Sequence, residues 1–298
     1  MGDVVAFPGN ADRHLSVGQQ ALAAKDYASA VAHLDKAYEA SPDFDHAKVL
    51  VEALVGLNAA SEALPYIGRY IEDFLKQPKD RDLMLSTLLA VPDYRSAWAV
   101  THYFAREDRA AAEQTISAAE QADLAKNETA IETLRKQLSH MGGLAFHEQE
   151  ALMSQLGRLP KSVALQAIPP VLADGDVHPA IRVSMLDALT AVGDSAAVTF
   201  LSYNGNRSVV PDDLPGVLND PAIQKMVHLA SRQINDPDER EATLEMLRLQ
   251  LGFLYPFVGE SISDQDGFVA AFVAHQPSPE PEVAAWLETQ IAALVNQA

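Results

Sequence analysis

His14–Pro42, HLSVGQQALAAKDYASAVAHLDKAYEASP, holds two stretches of helical periodicity joined by the tight turn Lys25-Asp26-Tyr27. Small residues stand at Gly18, Ala21, Ala30 and Ala37, and bulkier ones at Val17, Tyr27, Leu34 and Tyr38. A helical hairpin requires this arrangement, because small side chains let two helix axes approach while larger ones fill the space beside the contact. Pro42 cannot continue a helix and marks the end of the second one.

The period recurs downstream in weaker form. In NAASEALPYIGRYIEDF, residues Ala60, Ala63, Ile67 and Tyr70 align with Tyr27, Ala30, Leu34 and Ala37, and in PDYRSAWAVTHYF the set is Tyr94, Ala97, Thr101 and Phe104. The alanines Ala30, Ala63 and Ala97 are therefore spaced by 33 and then 34 residues. The preceding helices carry Leu50, Val51 and Leu54, then Met84, Leu85 and Leu88, where the first copy has Val17, Gly18 and Ala21. The alternative is an ordinary helical bundle with chance periodicity. Against it, three copies reach the minimum that a repeat stack needs to bury a continuous core.

The first copy resembles the tetratricopeptide repeat (TPR). Val17, Gly18, Ala21, Tyr27, Ala30, Leu34, Ala37 and Pro42 fall at its hydrophobic, small and proline positions, and only its early Trp is missing, replaced by His14. The second and third copies lack the family's Gly and closing Pro positions, so they resemble TPR-like hairpins rather than consensus repeats. Over the whole chain the pattern looks like that of bacterial TPR proteins. The resemblance implies an all-α, right-handed α-solenoid whose first helices line a concave face that binds proteins or peptides.

Beyond Arg106 the reading changes. Glu107–His140 has no proline or glycine and reads as one helix with an apolar seam of Leu124, Ile131, Leu134, Leu138 and Met141, stopped by Met141-Gly142-Gly143. Ile168–Asp194, IPPVLADGDVHPAIRVSMLDALTAVGD, resembles one HEAT repeat. In its turn Asp176 is placed to cap a helix, Pro179 to open it and Arg182 to reach an acidic neighbour. Val198–Tyr203 and Asn206–Val210 flank Asn204-Gly205 and read as a β-hairpin over 198–210 packed on helices, the alternative being a helix that ends at Gly205. Asp236-Pro237 opens a helix that runs to about Leu254, and a last amphipathic helix after Pro281 carries Val283, Trp286, Leu287, Leu294 and Val295. The expected organisation is TPR-like repeats over 1–106, a helical connector over 107–145 and a HEAT-like helical module over 146–298.

Composition narrows the function. Of 298 residues, 22 are Lys or Arg and 41 are Asp or Glu, a formal net charge of −19. That charge disfavours nucleic acid and anionic membrane as partners. The 48% of hydrophobic residues suffices for a packed core. The lack of cysteine removes disulfides, thiolate metal sites and thiol nucleophiles. No apolar run reaches the roughly 18 residues of a membrane span. The start, MGDVVAFPGNADRH, has neither a basic nor a long apolar leader segment, so a cytoplasmic protein is expected. No phosphate loop, dinucleotide fingerprint or nucleophile elbow is present. His147-Glu148-Gln149-Glu150-Ala151 begins like a zinc-protease helix, but Ala151 stands where the second histidine belongs. Asp264, Asp266 and Glu260 lack calcium-loop spacing and suit a helix N-terminus better. No enzyme activity, cofactor or metal is expected.

Carrying the family's groove positions over one by one gives Asp12, Leu15, Gln19 and Leu22 in the first copy, Asp45, Lys48, Glu52 and Val55 in the second, and Lys79, Asp82, Ser86 and Leu89 in the third. Leu15 and Gln19 occupy the places of the Lys and Asn that members binding chaperone tails use to hold a terminal carboxylate, so an acidic tail is a poor ligand. A mixed, mildly acidic groove suits a peptide with some basic character, although these residues are equally readable as solvated helix faces. Net charge is −4 over 1–106, −4 over 107–160 and −11 over 161–298. The acidic C-terminal half serves either solubility or the steering of a basic partner. The expectation is a non-enzymatic protein- or peptide-binding scaffold or adaptor. Its rival is a peptide-responsive regulator whose superhelix changes shape on binding.

Overall fold

The computed structural model describes residues 9–295, so most of the start, Met1 to His14, on which the expectation about a leader segment rests, lies outside the described residues. The chain divides into two compact units, Met1–Ala122 and Asp123–Ala298. Described residues are helical throughout except for turns and one β-hairpin in the second unit. No described helix is long and apolar enough to cross a membrane.

The first unit contains α1 (Gly9–Ala23), α2 (Tyr27–Ala40), α3 (Phe44–Gly56), α4 (Ala60–Arg69), α5 (Ile71–Lys76), α6 (Pro78–Ala90) and α7 (Tyr94–Thr101). The long α8 (Arg106–Ser139) begins in this unit and continues into the second, and Asn127 leaves helical dihedrals within it at φ −123°, ψ 25°. Consecutive helices pack on one another, and α3 also packs on α1 and on α6. The contacts between first helices join separate hairpins into a stack.

The repeat alanines explain the close approach. Ala30, Ala63 and Ala97 each have 0% exposure, and Leu50, Val51, Leu54, Met84, Leu85 and Leu88 are all buried beside them. Glycine takes the tightest places: a methyl on Gly18 would lie 2.6 Å from Leu34 Cγ, and one on Gly56 would lie 2.2 Å from Tyr27 Cε1. Val17, read as a filling residue, is 37% exposed because it stands on the outermost described helix, where no earlier hairpin covers it. Turn chemistry repeats as well. Asp26 and Asp93 open α2 and α7 by accepting the Ser29 and Ser96 N–H groups, each at 3.2 Å. Lys25 and Asn58 take the left-handed conformation at equivalent places, with φ of 59° and 61°.

The second unit contains the rest of α8 followed by α9 (Phe146–Met153), α10 (Lys161–Leu172), α11 (Pro179–Ala191), β1 (Val198–Ser202), β2 (Gly205–Val209), α12 (Pro221–Ser231), α13 (Pro237–Leu254), α14 (Val258–Ser261), α15 (Gln265–Val273) and α16 (Pro281–Val295). The seam of Ile131, Leu134, Leu138 and Met141 enters one core with Ile168, Leu172, Met185, Leu189 and Leu251. At α16, Val283 and Leu287 are buried and Trp286 and Leu294 pack half-buried on the same core, so of the expected apolar face only Val295, 70% exposed, stands clear.

Two local expectations are corrected. The cap of α11 is His178 rather than Asp176: its Nδ1 accepts the Ala180 N–H at 3.1 Å, one position before Pro179 opens the helix. Arg182 reaches no acid and instead donates from Nη1 to the Asp174 and Val177 carbonyls. The loop between α10 and α11 folds back over α11, so its carbonyls reach the guanidinium before any carboxylate does.

The β-hairpin forms, but Ser202 pairs with Gly205, which places Tyr203-Asn204 rather than Asn204-Gly205 in the loop. Only Gly205 has positive φ, at 89°, so the left-handed requirement falls on the one residue without a Cβ. Phe200, Val198 and Val209 sit in the core. Arg207 lies 4.3 Å over the Phe257 ring and 3.1 Å from Glu260, pinning β2 to the α14 region.

Two predictions follow the packing and the cap. Gly56→Ala gains at most about 1 kcal/mol of helix propensity, but the methyl must displace the Tyr27 ring at a cost of about 1–3 kcal/mol. Its urea midpoint should fall, whereas Gly68→Ala, with nothing within 4 Å of the added methyl, should hold or raise it. For His178, burial is the main cause of a pKa held below the ordinary 6.5, with the Arg182 charge adding to it and the Gln290 carbonyl opposing. The unfolded chain therefore takes up the proton first, and stability falls as pH drops through about 6.5 until the folded pKa is reached. His178→Asn keeps a capping side chain that does not titrate, and its melting temperature should fall less than the wild type's between neutral and acidic pH.

Candidate functional site

In the first unit α6 and the opening turns of α8 enclose a groove of about 510 Å³. From α6 come Pro78, Asp82, Leu85, Ser86 and Leu89, and from α8 come Asp108, Ala111, Ala112 and Thr115. Both sets follow the three-and-four spacing of a single helix face. Phe104 closes the floor between them. α8 is seated on α7 by a buried hydrogen bond from Trp98 Nε1 to Glu120 Oε1 at 2.8 Å. Arg109 adds to this by donating to the Thr101 and His102 carbonyls at the end of α7.

The groove has an apolar floor and an acidic rim. Leu85 and Phe104 are buried, Asp82 and Asp108 are exposed, and no cation lies within ion-pair distance of either carboxylate among the described residues. The Ser86 hydroxyl donates to the Leu83 carbonyl at 2.8 Å, which leaves its oxygen as an acceptor towards the groove.

Of the residues read from the sequence, Asp82, Ser86 and Leu89 are brought together here. Lys79 is exposed and does not line the groove. Asp12, Leu15 and Gln19 stand on α1 and Asp45, Lys48 and Glu52 on α3, outside the enclosed volume. Asp12, Gln19, Asp45 and Glu52 are exposed, and Leu15 is half-buried. Lys48 is engaged in the stack itself: its ammonium lies 3.5 Å from Asp80 and 3.9 Å from Asp45, and 5.2 Å over the Phe44 ring. Asp80 is only 8% exposed, so Lys48 neutralises a buried carboxylate on the next first helix.

The wall supplied by α8 was missed because the sequence after Arg106 reads as a connector. A signal for it exists: a further step of 33 residues from Pro78, Lys79 and Asp82 arrives at Ala111, Ala112 and Thr115, all of which line the groove. Among the described residues no group of three or more His, Asp or Glu stands close enough to hold a metal ion.

A family model, that of the tetratricopeptide repeat, matches residues 21–82, from the last turn of α1 into α6. The curated proteins and the solved structures offer no match to the chain. Tetratricopeptide repeats in general mediate protein–protein interaction. Residues 21–82, in the first unit, thus carry a tetratricopeptide-repeat segment, where buried alanines at the same period stack the paired helices.

Proposed function

We propose that the first unit is a non-enzymatic binding module, a scaffold or adaptor, that takes a peptide segment carrying basic residues into the groove between α6 and α8. The observation that carries this is the pair of unneutralised carboxylates, Asp82 and Asp108, at the rim of a floor made by Leu85, Leu89 and Phe104. Each large apolar side chain of a ligand buried on that floor contributes about 1.5–3 kcal/mol, whereas an exposed charge pair at the rim contributes about 0.2–1 kcal/mol. Affinity then comes chiefly from the floor. The carboxylates set charge preference and association rate.

The test is a peptide array graded in charge and apolar content, probed with the full chain. Bound peptides should combine basic and large apolar residues, binding should weaken with salt, and Asp82→Lys with Asp108→Lys should abolish the basic preference. Peptides that bind the double variant as well as they bind the wild type would refute the groove. Lys48 is unsuitable as a groove probe because it stabilises the stack. Lys48→Met leaves Asp80 buried without its cation and should cost about 1–3 kcal/mol in denaturant titration. Adding Asp80→Leu should recover most of that loss.

A further inference from the structure

The second unit holds a larger cavity, about 820 Å³, in the size range of small-molecule sites. It draws Phe146 and Gln149 from α9, Asp176 and His178 from the loop before α11, Arg182 from α11 and Trp286 from α16.

Two polar side chains of this cavity are more than nine-tenths buried and incompletely satisfied. Arg182 is 5% exposed; Nη1 donates to the Asp174 and Val177 carbonyls, but Nε is buried with no acceptor. No carboxylate stands within ion-pair distance of its guanidinium among the described residues. Burial lowers its pKa to about 10, with Asp174 opposing, so it stays charged at neutral pH. Gln149 is 4% exposed; Nε2 donates to the Leu144 and Asp176 carbonyls at 3.0 and 3.4 Å, and Oε1 is buried with no donor. Both side chains grip the 174–177 loop, so an unmatched cationic donor and an unmatched acceptor rest on one support. Asp176 adds an exposed carboxylate there. His178 is used at both nitrogens, Nδ1 by the Ala180 N–H and Nε2 by the Gln290 carbonyl at 3.2 Å, and offers only its ring. Phe146 and Trp286 supply half-buried aromatic surface.

We propose that this cavity binds a free α-amino acid with a large apolar side chain. The ligand carboxylate meets the Arg182 guanidinium, its ammonium meets the exposed Asp176 carboxylate, and its side chain lies against Phe146 and Trp286. A neutral amide would leave both the guanidinium charge and the Asp176 charge unbalanced. A dicarboxylate would bring a second negative group towards Asp176. A zwitterion answers both charges at once. This site is in the second unit and does not depend on the groove reading.

The experiment is calorimetric titration of the full chain with phenylalanine, N-acetylphenylalanine, phenylalaninamide and glycine. Phenylalanine should bind saturably, and capping either charged end should weaken binding by at least about tenfold. Glycine should bind more weakly than phenylalanine because it leaves the aromatic surface uncovered. Because Arg182 also holds a loop, its variants risk misfolding. The exposed Asp176→Asn tests the site instead, and should weaken phenylalanine but leave N-acetylphenylalanine unchanged. No heat of binding up to about 10 mM phenylalanine, or equal binding of the free and capped forms, would overturn the proposal.

Discussion

The first unit depends on helices meeting where there is almost no side chain between them. Ala30, Ala63 and Ala97 have 0% exposure, and Gly18 and Gly56 face Leu34 and the Tyr27 ring at distances that exclude a methyl. A bulkier residue at any of these points would push a hairpin away from its neighbour, and all later hairpins with it, because each helix takes its position from the one before. The groove is downstream of that constraint. Its walls on α6 and α8 are separated by α7, whose Ala97 is fully buried and whose Trp98 holds α8 through Glu120. A change at Ala97, which lines no groove, therefore acts on the groove's width.

Spacing is thus set by small residues, and direction by caps. In the first unit Asp26, Asp43 and Asp93 each accept a backbone N–H three residues on. In the second unit His178, Asp220 and Asp236 do the same work immediately before a proline. Proline at the first helical position supplies a fixed φ and lacks the N–H that would otherwise need a partner. The same solution recurs in both units with different residues. What it requires is an acceptor of short reach, and a neutral imidazole qualifies as well as a carboxylate does.

Features governed by periodicity were legible in the sequence, and those governed by long-range contact were not. The repeat alanines, the seam of α8, the Asp236-Pro237 start and the hairpin over 198–210 all follow from local chemistry, and the structure contains them. The errors share a cause. Whether Arg182 meets a carboxylate or two carbonyls depends on how the 174–177 loop folds back, which no spacing encodes. The loop at Tyr203-Asn204 depends on which of two adjacent residues takes the positive φ. Lys48, whose helix position places it towards the groove, also meets Asp80, 32 residues later, an ion pair that no local spacing encodes. The α8 wall was obscured because small residues at Ala111 and Ala112 resemble any alanine-rich helix.

The two candidate sites use opposite physics, which separates the kinds of ligand each can select. In the groove the charges are exposed and the floor is apolar, so discrimination is shallow, salt-dependent and tolerant of sequence. A peptide-binding surface that serves several partners has these properties. In the second unit's cavity the Arg182 charge is buried and has no carboxylate within ion-pair distance among the described residues, which favours a ligand that supplies one, so discrimination falls on the ligand's polar end. Selection of this kind is wasted on a long peptide, whose ends are a small part of its surface, and is effective for a molecule that is mostly ends. Acidic composition has a different meaning at each place. At the groove rim Asp82 and Asp108 favour a cationic ligand, whereas the cavity's lining combines Asp176 with a buried Arg182, which favours a ligand carrying both charges.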